Sequence, residues 1–345
     1  DTSSVRSPCE RQSRFKMPFL SLFLHSRPFQ MHSLRQKLIQ AANDAGAQAV
    51  GFARCGEVNH MHWEKYTRWL GRGAAGGMDY LSNYPELRRN PAVMSEGART
   101  VMVCAFSYYH GETQNPQAAR IAMYAHGSDY HEVLRKRLEP VAALLRDAGH
   151  TARVCVDSAP VLERYWAVQA GVGFIGCNRM LIVPGKGSYF FLAEILTSAE
   201  LEPDAPCTLS CDGCGRCVAA CPGGALRADG GFDARRCLSY LTIEHRGGMP
   251  REVDGRPVSA VLGRRLYGCD TCQEVCMHNS SPVPTEIDEF RLRPGLKDLT
   301  RADVLEMTQE RFSALFAHSP VKRVKLEGLK RDAAAGLFEC PGDGA

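Results

Sequence analysis

The stretch Cys211-x2-Cys214-x2-Cys217-x3-Cys221-Pro222, CDGCGRCVAACP in full, decides the character of this chain. The spacing C-x2-C-x2-C-x3-C-P is that of bacterial-type ferredoxin modules, in which three thiolates close on one [4Fe–4S] cluster and the fourth serves another. Thiolates suit iron because they are soft, strongly donating ligands. Further on stand Cys237 and the run Cys269-x2-Cys272-x3-Cys276. Ligands crossed between the motifs, as in two-cluster ferredoxins, put Cys211, Cys214, Cys217 and Cys276 on one cluster. Cys221, Cys237, Cys269 and Cys272 then hold the other, and no cysteine of the region is left over. Paired tetrahedral zinc sites are the alternative for two sets of four cysteines, although this order is unusual for zinc.

The remainder of the composition frames that module. The chain has 345 residues, more than twice the roughly 150 of a typical domain. An apolar fraction of 44% with 23% charged residues excludes a wholly disordered chain. The 15 cysteines are concentrated between 211 and 276, unlike the scattered staples of a secreted protein, which points to a reducing compartment. A net charge of +4 announces no nucleic-acid binder but leaves room for a local basic patch. Residues 1–33 lack signal-peptide grammar, and the apolar run 19–24 is far too short to cross a bilayer. They are expected to be a poorly ordered extension of a cytoplasmic protein.

Periodicity predicts helices over 34–45, 130–148 and 161–170 and strands over 49–53, 99–108, 154–156, 179–184 and 188–196. This makes an α+β domain of 34–201. A module of 202–285 follows through a linker at 202–206, and its 256–267 segment is expected to pack back on the first domain. Residues 286–345 form a helical C-terminal segment. No G-x-G-x-x-G follows a strand and no Walker A motif occurs; GRGAAGG at 71–77 reads as a flexible loop. A body of this size favours a module that wires an external donor to an internal cofactor over one that only carries electrons.

Several stretches are too specific to arise from packing alone: HGSDYH (126–131), DSAPVLER (157–164), AGVGFIG (170–176), GSYFFL (187–192), RRCLSYLTIE (235–244) and YGCDTCQ (267–273). Together they resemble the epoxyqueuosine reductases, cobalamin-dependent iron–sulfur enzymes of queuosine-tRNA synthesis, over about 34–279 with a weaker echo at 319–337. The resemblance implies a corrinoid-binding, reductive-dehalogenase-like domain ahead of the two-cluster ferredoxin-like module. It implies reduction of epoxyqueuosine to queuosine at the tRNA wobble position. Electrons would pass from an external one-electron donor through two [4Fe–4S] clusters to cobalamin. The expected partner is the anticodon stem-loop, and the expected state is a monomer away from membranes. Asp157 is implied as the proton donor, because epoxide opening develops alkoxide charge that a positioned acid neutralises. Tyr124, His131, Ser188, Ser239 and Thr242 are the candidate cofactor contacts.

Asp157 has a plainer alternative, capping a helix after Pro160, and Glu163 with Arg164 reads as a structural ion pair. Three departures from the family pattern stand out: Cys177 where lysine is usual, Ser128 where arginine is usual, and Met277-His278 in place of Pro-Trp. Residues 291–331 carry ten basic against five acidic side chains, a candidate phosphate-binding face. The competing functions are a corrinoid reductase of a small molecule, an electron-transfer protein without cobalamin, and a non-catalytic tRNA binder.

Overall fold

The computed structural model describes residues 27–336. The expected extension lies outside the described residues up to residue 26, and helix α1 (Arg27–Asp44) starts ahead of the expected position 34. In chain order there follow β1 (Ala49–Arg54), α2 (His60–Gly71), β2 (Thr100–Ser107), α3 (Tyr130–Asp147), β3 (Ala152–Cys155), α4 (Glu163–Gln169) and β4 (Phe190–Thr197). The four strands form one antiparallel sheet in the order β1-β2-β4-β3. Every residue of β2 and β4 is buried, because helices cover both faces. Met102, Cys104 and Phe106 pack on Leu38 of α1 and on Leu134, Leu138 and Leu145 of α3. Val101, Val103 and Ala105 point the other way, onto Tyr165 and Trp166 of α4. Each such fully buried side chain stabilises the fold by roughly 1.5–3 kcal/mol. Helix α2 answers to no expected element; none of its residues is fully buried, but Trp63 and Trp69 on one side of it pack against the core.

The cysteine-rich region contributes the short helices α5 (Arg216–Ala220), α6 (Leu238–Ile243) and α7 (Thr271–Glu274). It is stitched to the body rather than tethered. Asp204, within the expected linker, pairs with Arg35 at 2.6 Å and accepts the Phe52 N–H at 2.9 Å. The 71–77 stretch is no free loop either. Ala74 and Ala75 are buried, the Ala74 carbonyl takes the Ala234 N–H, and the Gly77 N–H donates to the Tyr240 hydroxyl. Strand Arg265–Tyr267 pairs in parallel with Arg120–Ile121. The C-terminal helices α8 (Arg301–Leu305), α9 (Gln309–Leu315) and α10 (Lys325–Ala335) share a core with Ile121, Leu266 and Tyr267. No described helix is long and apolar enough to cross a membrane.

One crossing fixes where α3 begins. Gly127 passes under the 289–290 backbone so closely that a β-carbon would stand 2.2 Å from the Glu289 carbonyl oxygen, and the Ser128 N–H donates to that oxygen at 2.6 Å. Gly127→Ala therefore forces backbone apart, and overpacking of this kind costs about 1–3 kcal/mol. Urea unfolding of the variant is expected to show a loss of that size or more; an unchanged midpoint contradicts the crossing.

Candidate active site and metal centre

Asp157 lies on the loop between β3 and α4 with its backbone at φ 51°, a left-handed conformation that Asp and Asn adopt more readily than most residues. The side chain is 56% exposed. Its Oδ2 accepts the Tyr130 hydroxyl at 2.6 Å and faces His131 Nε2 at 3.2 Å. Both partners stand in the first turn of α3. Tyr130 is held by its ring, stacked on Phe191 at 4.3 Å and on His131 at 4.1 Å. Asp129 caps α3 through the His131 N–H and binds His131 Nδ1 at 2.7 Å, so one carboxylate both starts the helix and aims the imidazole. Burial pulls the His131 pKa down, but the two aspartates outweigh it and hold the ring up at about 9. Burial tends to raise Asp157, yet the bonds from His131 and Tyr130 prevail and keep it below the usual carboxylate range.

The capping alternative for Asp157 fails. Helix α4 starts only at Glu163 after Leu162, without a side-chain cap, and the Ser158 hydroxyl instead accepts from Arg135. Glu163 is not paired with Arg164 as expected; its Oε1 takes the Asp157 N–H at 2.6 Å. Burial and the Asp157 charge push Glu163 up to about 8. Tyr130, Asp129 and Glu163 were missed as site residues, although the DYH and LER letters adjoining His131 and Asp157 carried the signal.

The other candidate cofactor residues divide. Tyr124 joins the site: its ring is 6.3 Å from Tyr130 and 6.1 Å from Tyr267, and it lies close enough to feel the Asp157 charge. Tyr80 does too, and its hydroxyl is pushed up to about 12, by burial first and then by Glu244 among other charges. Arg323 lies 5.7 Å from the Tyr80 ring and pairs with Glu244 at 2.8 Å. Thr242 serves the fold. Wholly buried, its hydroxyl donates to the Leu238 carbonyl and accepts the Gly268 N–H, so it braces the cysteine module. Ser188 is likewise buried, with its Oγ accepting from Asn279 at 2.9 Å and Gln273 at 3.2 Å. Ser239 is half-buried on α6. The basic count over 291–331 also overstates a phosphate face: Arg301 is buried on four carbonyls, and Arg293 and Arg331 likewise bind main-chain oxygens. Lys297, Lys322 and Lys325 remain exposed.

The cysteines gather by the crossed pattern. Cys211, Cys214, Cys217 and Cys276 line one cavity, together with Cys177, Asn178 and His278. Gly213 and Gly215, at φ 67° and 72°, make the tight turns between the first three. Cys272 is pushed up by burial and then by Cys269, Cys237 and Cys221, which marks the second set as neighbours. Among the described residues no three His, Cys, Asp or Glu side chains converge on a single metal ion. Thiols standing around a cavity suit a cluster, in which each iron takes its own thiolate.

Residues 88–158 match the family model "Epoxyqueuosine reductase QueG, DUF1730", and residues 210–279 match a "4Fe-4S double cluster binding domain". The chain is 37% identical over 294 residues to the epoxyqueuosine reductase of Leadbetterella byssophila, covering 84% of this chain and 95% of that one. Among solved structures, an epoxyqueuosine reductase with an epoxyqueuosine-modified tRNA-Tyr stem loop superposes with a TM-score of 0.77 at 28% identity, over 88% of this chain and 80% of that one. The Bacillus subtilis epoxyqueuosine reductase, with its aspartate-bearing catalytic loop swung out of the active site, does so with a TM-score of 0.77 at 27% identity and the same coverage.

The flanking aspartates make His131 a cation at neutral pH. Its pKa is raised above the ordinary 6.5 to about 9, so the stabilisation it brings is complete below 6.5 and lost as the pH rises through 9. NMR titration of its ring protons is expected to give a midpoint near 9, falling toward 6.5 in Asp129→Asn. A wild-type midpoint at 6.5 contradicts the bridge.

Proposed function

The chain belongs to the epoxyqueuosine reductase family, and from that premise we propose that it reduces epoxyqueuosine to queuosine at the wobble position of tRNA in the cytoplasm. The observation that carries the proposal is the Asp129–His131–Asp157–Tyr130 cluster, a proton store on a carboxylate that is 56% exposed, with Tyr124 and Tyr80 near enough to feel its charge. The reaction converts an epoxide, two electrons and two protons into an alkene and water. When bound, the two [4Fe–4S] clusters supply single electrons from an external donor, and cobalamin supplies the low-potential centre that reduces the substrate. Tyr80, 42% exposed, offers beside Asp157 an apolar face with a polar edge, which fits a large flat ligand fringed with amides. Ser239 lies on the cysteine-module side and is retained as a candidate contact; Ser188 acts through the Gln273 and Asn279 network.

The residues of this chain handle the protons. Asp157 rests as a carboxylate because His131 holds the proton it would otherwise carry. As the substrate oxygen becomes an alkoxide, Asp157 passes it a first proton drawn from His131 Nε2, with Asp129 stabilising the transfer from the far side of the ring, and the second proton comes from solvent, to which the Asp157 carboxylate is open. Tyr130 keeps the carboxyl aimed throughout. The anticodon stem-loop is the partner that brings the epoxide to this cluster, with Lys322 and Lys325 as exposed phosphate contacts beside Arg323. The body of 34–201, the module of 202–285 and the segment 286–345 then act as one unit, the last closing the site through Arg323.

Asp157→Asn removes the carboxylate that relays the His131 proton while keeping a residue that tolerates the left-handed backbone. Single-turnover reduction of epoxyqueuosine-containing tRNA by the pre-reduced variant is expected to slow by about 10²-fold or more, with iron and cobalamin content unchanged. A near-wild-type rate sinks the proton-donor role. For the metal centre, reconstituted wild type is expected to hold about eight irons and Cys276→Ala about four, since one ligand set is broken; equal iron in both contradicts the crossed assignment.

A further inference from the structure

Cys177 stands outside the eight cysteines assigned to the clusters, yet it lines the same cavity as Cys211, Cys214, Cys217 and Cys276. The turn that carries it is pinned at every residue. The Gly176 N–H donates to the Met180 carbonyl and the Arg179 N–H to the Gly176 carbonyl, both at 2.9 Å, with Arg179 in the left-handed region at φ 66°. Gly176 has no room for a side chain: a β-carbon there would lie 2.6 Å from Asn178 Oδ1 and 2.7 Å from Ile182 Cδ1. Asn178 is buried and reaches the Cys272 carbonyl at 3.4 Å, which ties the turn to the second cysteine run. Held this way, Cys177 lines the cavity beside Cys211, and the two side chains stand near enough to perturb each other.

We propose that Cys177 is a hydrogen-bond donor to the Cys211 sulfur that raises the reduction potential of the cluster held by Cys211, Cys214, Cys217 and Cys276. The inference rests on the cluster reading above and adds to it a residue that is not a ligand. Four cysteines already supply one thiolate per iron, so a fifth thiol beside them has no iron left to bind. Taking up one electron from a one-electron donor adds one negative charge to the cluster, and part of it spreads onto the ligand sulfurs. An S–H aimed at such a sulfur favours the reduced form over the oxidised one, and hydrogen bonds to ligand sulfurs are an established control of cluster potential. A thiol is a weak donor, so the effect is a tuning and not a switch. Cys214 of the same set is exposed, which puts this cluster where an external donor can reach it. A raised potential there eases electron uptake.

The test compares reconstituted wild type, Cys177→Ser and Cys177→Ala by iron content and by EPR-monitored redox titration. Both substitutions keep the backbone N–H, so only the side-chain donor changes. The expected result is full iron in all three proteins and, in Cys177→Ala, a shift of one cluster midpoint to more negative potential with the other unmoved. Cys177→Ser, which retains an O–H donor, is expected closer to wild type. Unchanged midpoints in Cys177→Ala overturn the proposal. Loss of half the iron in that variant also overturns it, because Cys177 would then be a ligand. A wild type holding only about four irons overturns the cluster reading itself, and that failure is read separately from any effect of position 177.

Discussion

The 2.6 Å hydrogen bond from the Tyr130 hydroxyl to Asp157 is the joint on which the site depends. It connects the first turn of α3 to the loop after β3, two segments that the fold brings together only because both elements pack on the same sheet. On one side Tyr130 is fixed by stacking against Phe191 of β4, and the start of α3 by the Gly127 crossing and the Asp129 cap. On the other, Asp157 adopts a backbone conformation that costs free energy in isolation and is held there by its N–H bond to Glu163. A site carboxylate on an otherwise open loop is thereby presented in one orientation.

Three carboxyls crowd behind this joint, and their environments decide which of them is charged. Glu194 of β4 is completely buried, and neither carboxylate oxygen has a hydrogen-bond partner; burial, then Glu163 and Asp157, push it well above the ordinary range. Glu163 is raised to about 8 by burial and by Asp157. Like charges so close cannot all ionise. Asp157 is the one that does, because it alone has a cation and a phenol donating to it. The negative charge of the site therefore sits at its open edge and the transferable proton sits on His131, one hydrogen bond away from where substrate oxygen would arrive.

The parts legible in the sequence were those with a fixed spacing or a strong period. The cysteine runs carry their own geometry in the chain, so the two ligand sets could be written down before any fold was known. The buried strands and α3 announced themselves by apolar pattern. What escaped had no such mark. Helix α2 buries no residue fully and only its Trp63 and Trp69 side reaches the core, and 71–77 looked mobile because glycine-rich composition does not reveal that Ala74 and Ala75 are clamped against the cysteine module. Thr242 and Ser188 were read as donors to a cofactor because hydroxyls in family stretches suggest it, whereas the structure spends them on contacts between distant segments. The charge count over 291–331 misled for the same reason: guanidinium groups such as Arg301 serve as internal clamps on carbonyls, and a tally of letters does not separate these from solvent-facing lysines.

The central claim is that this chain removes the epoxide oxygen of a tRNA wobble nucleoside by supplying protons at Asp157. Its most direct test is nucleoside mass spectrometry of epoxyqueuosine-containing tRNA after anaerobic incubation with the reconstituted protein, cobalamin and a one-electron reductant. The account predicts that epoxyqueuosine loses a single oxygen atom and becomes queuosine, and only when protein, cobalamin and reductant are all present. Epoxyqueuosine recovered unchanged from protein loaded with both clusters and cobalamin would contradict it.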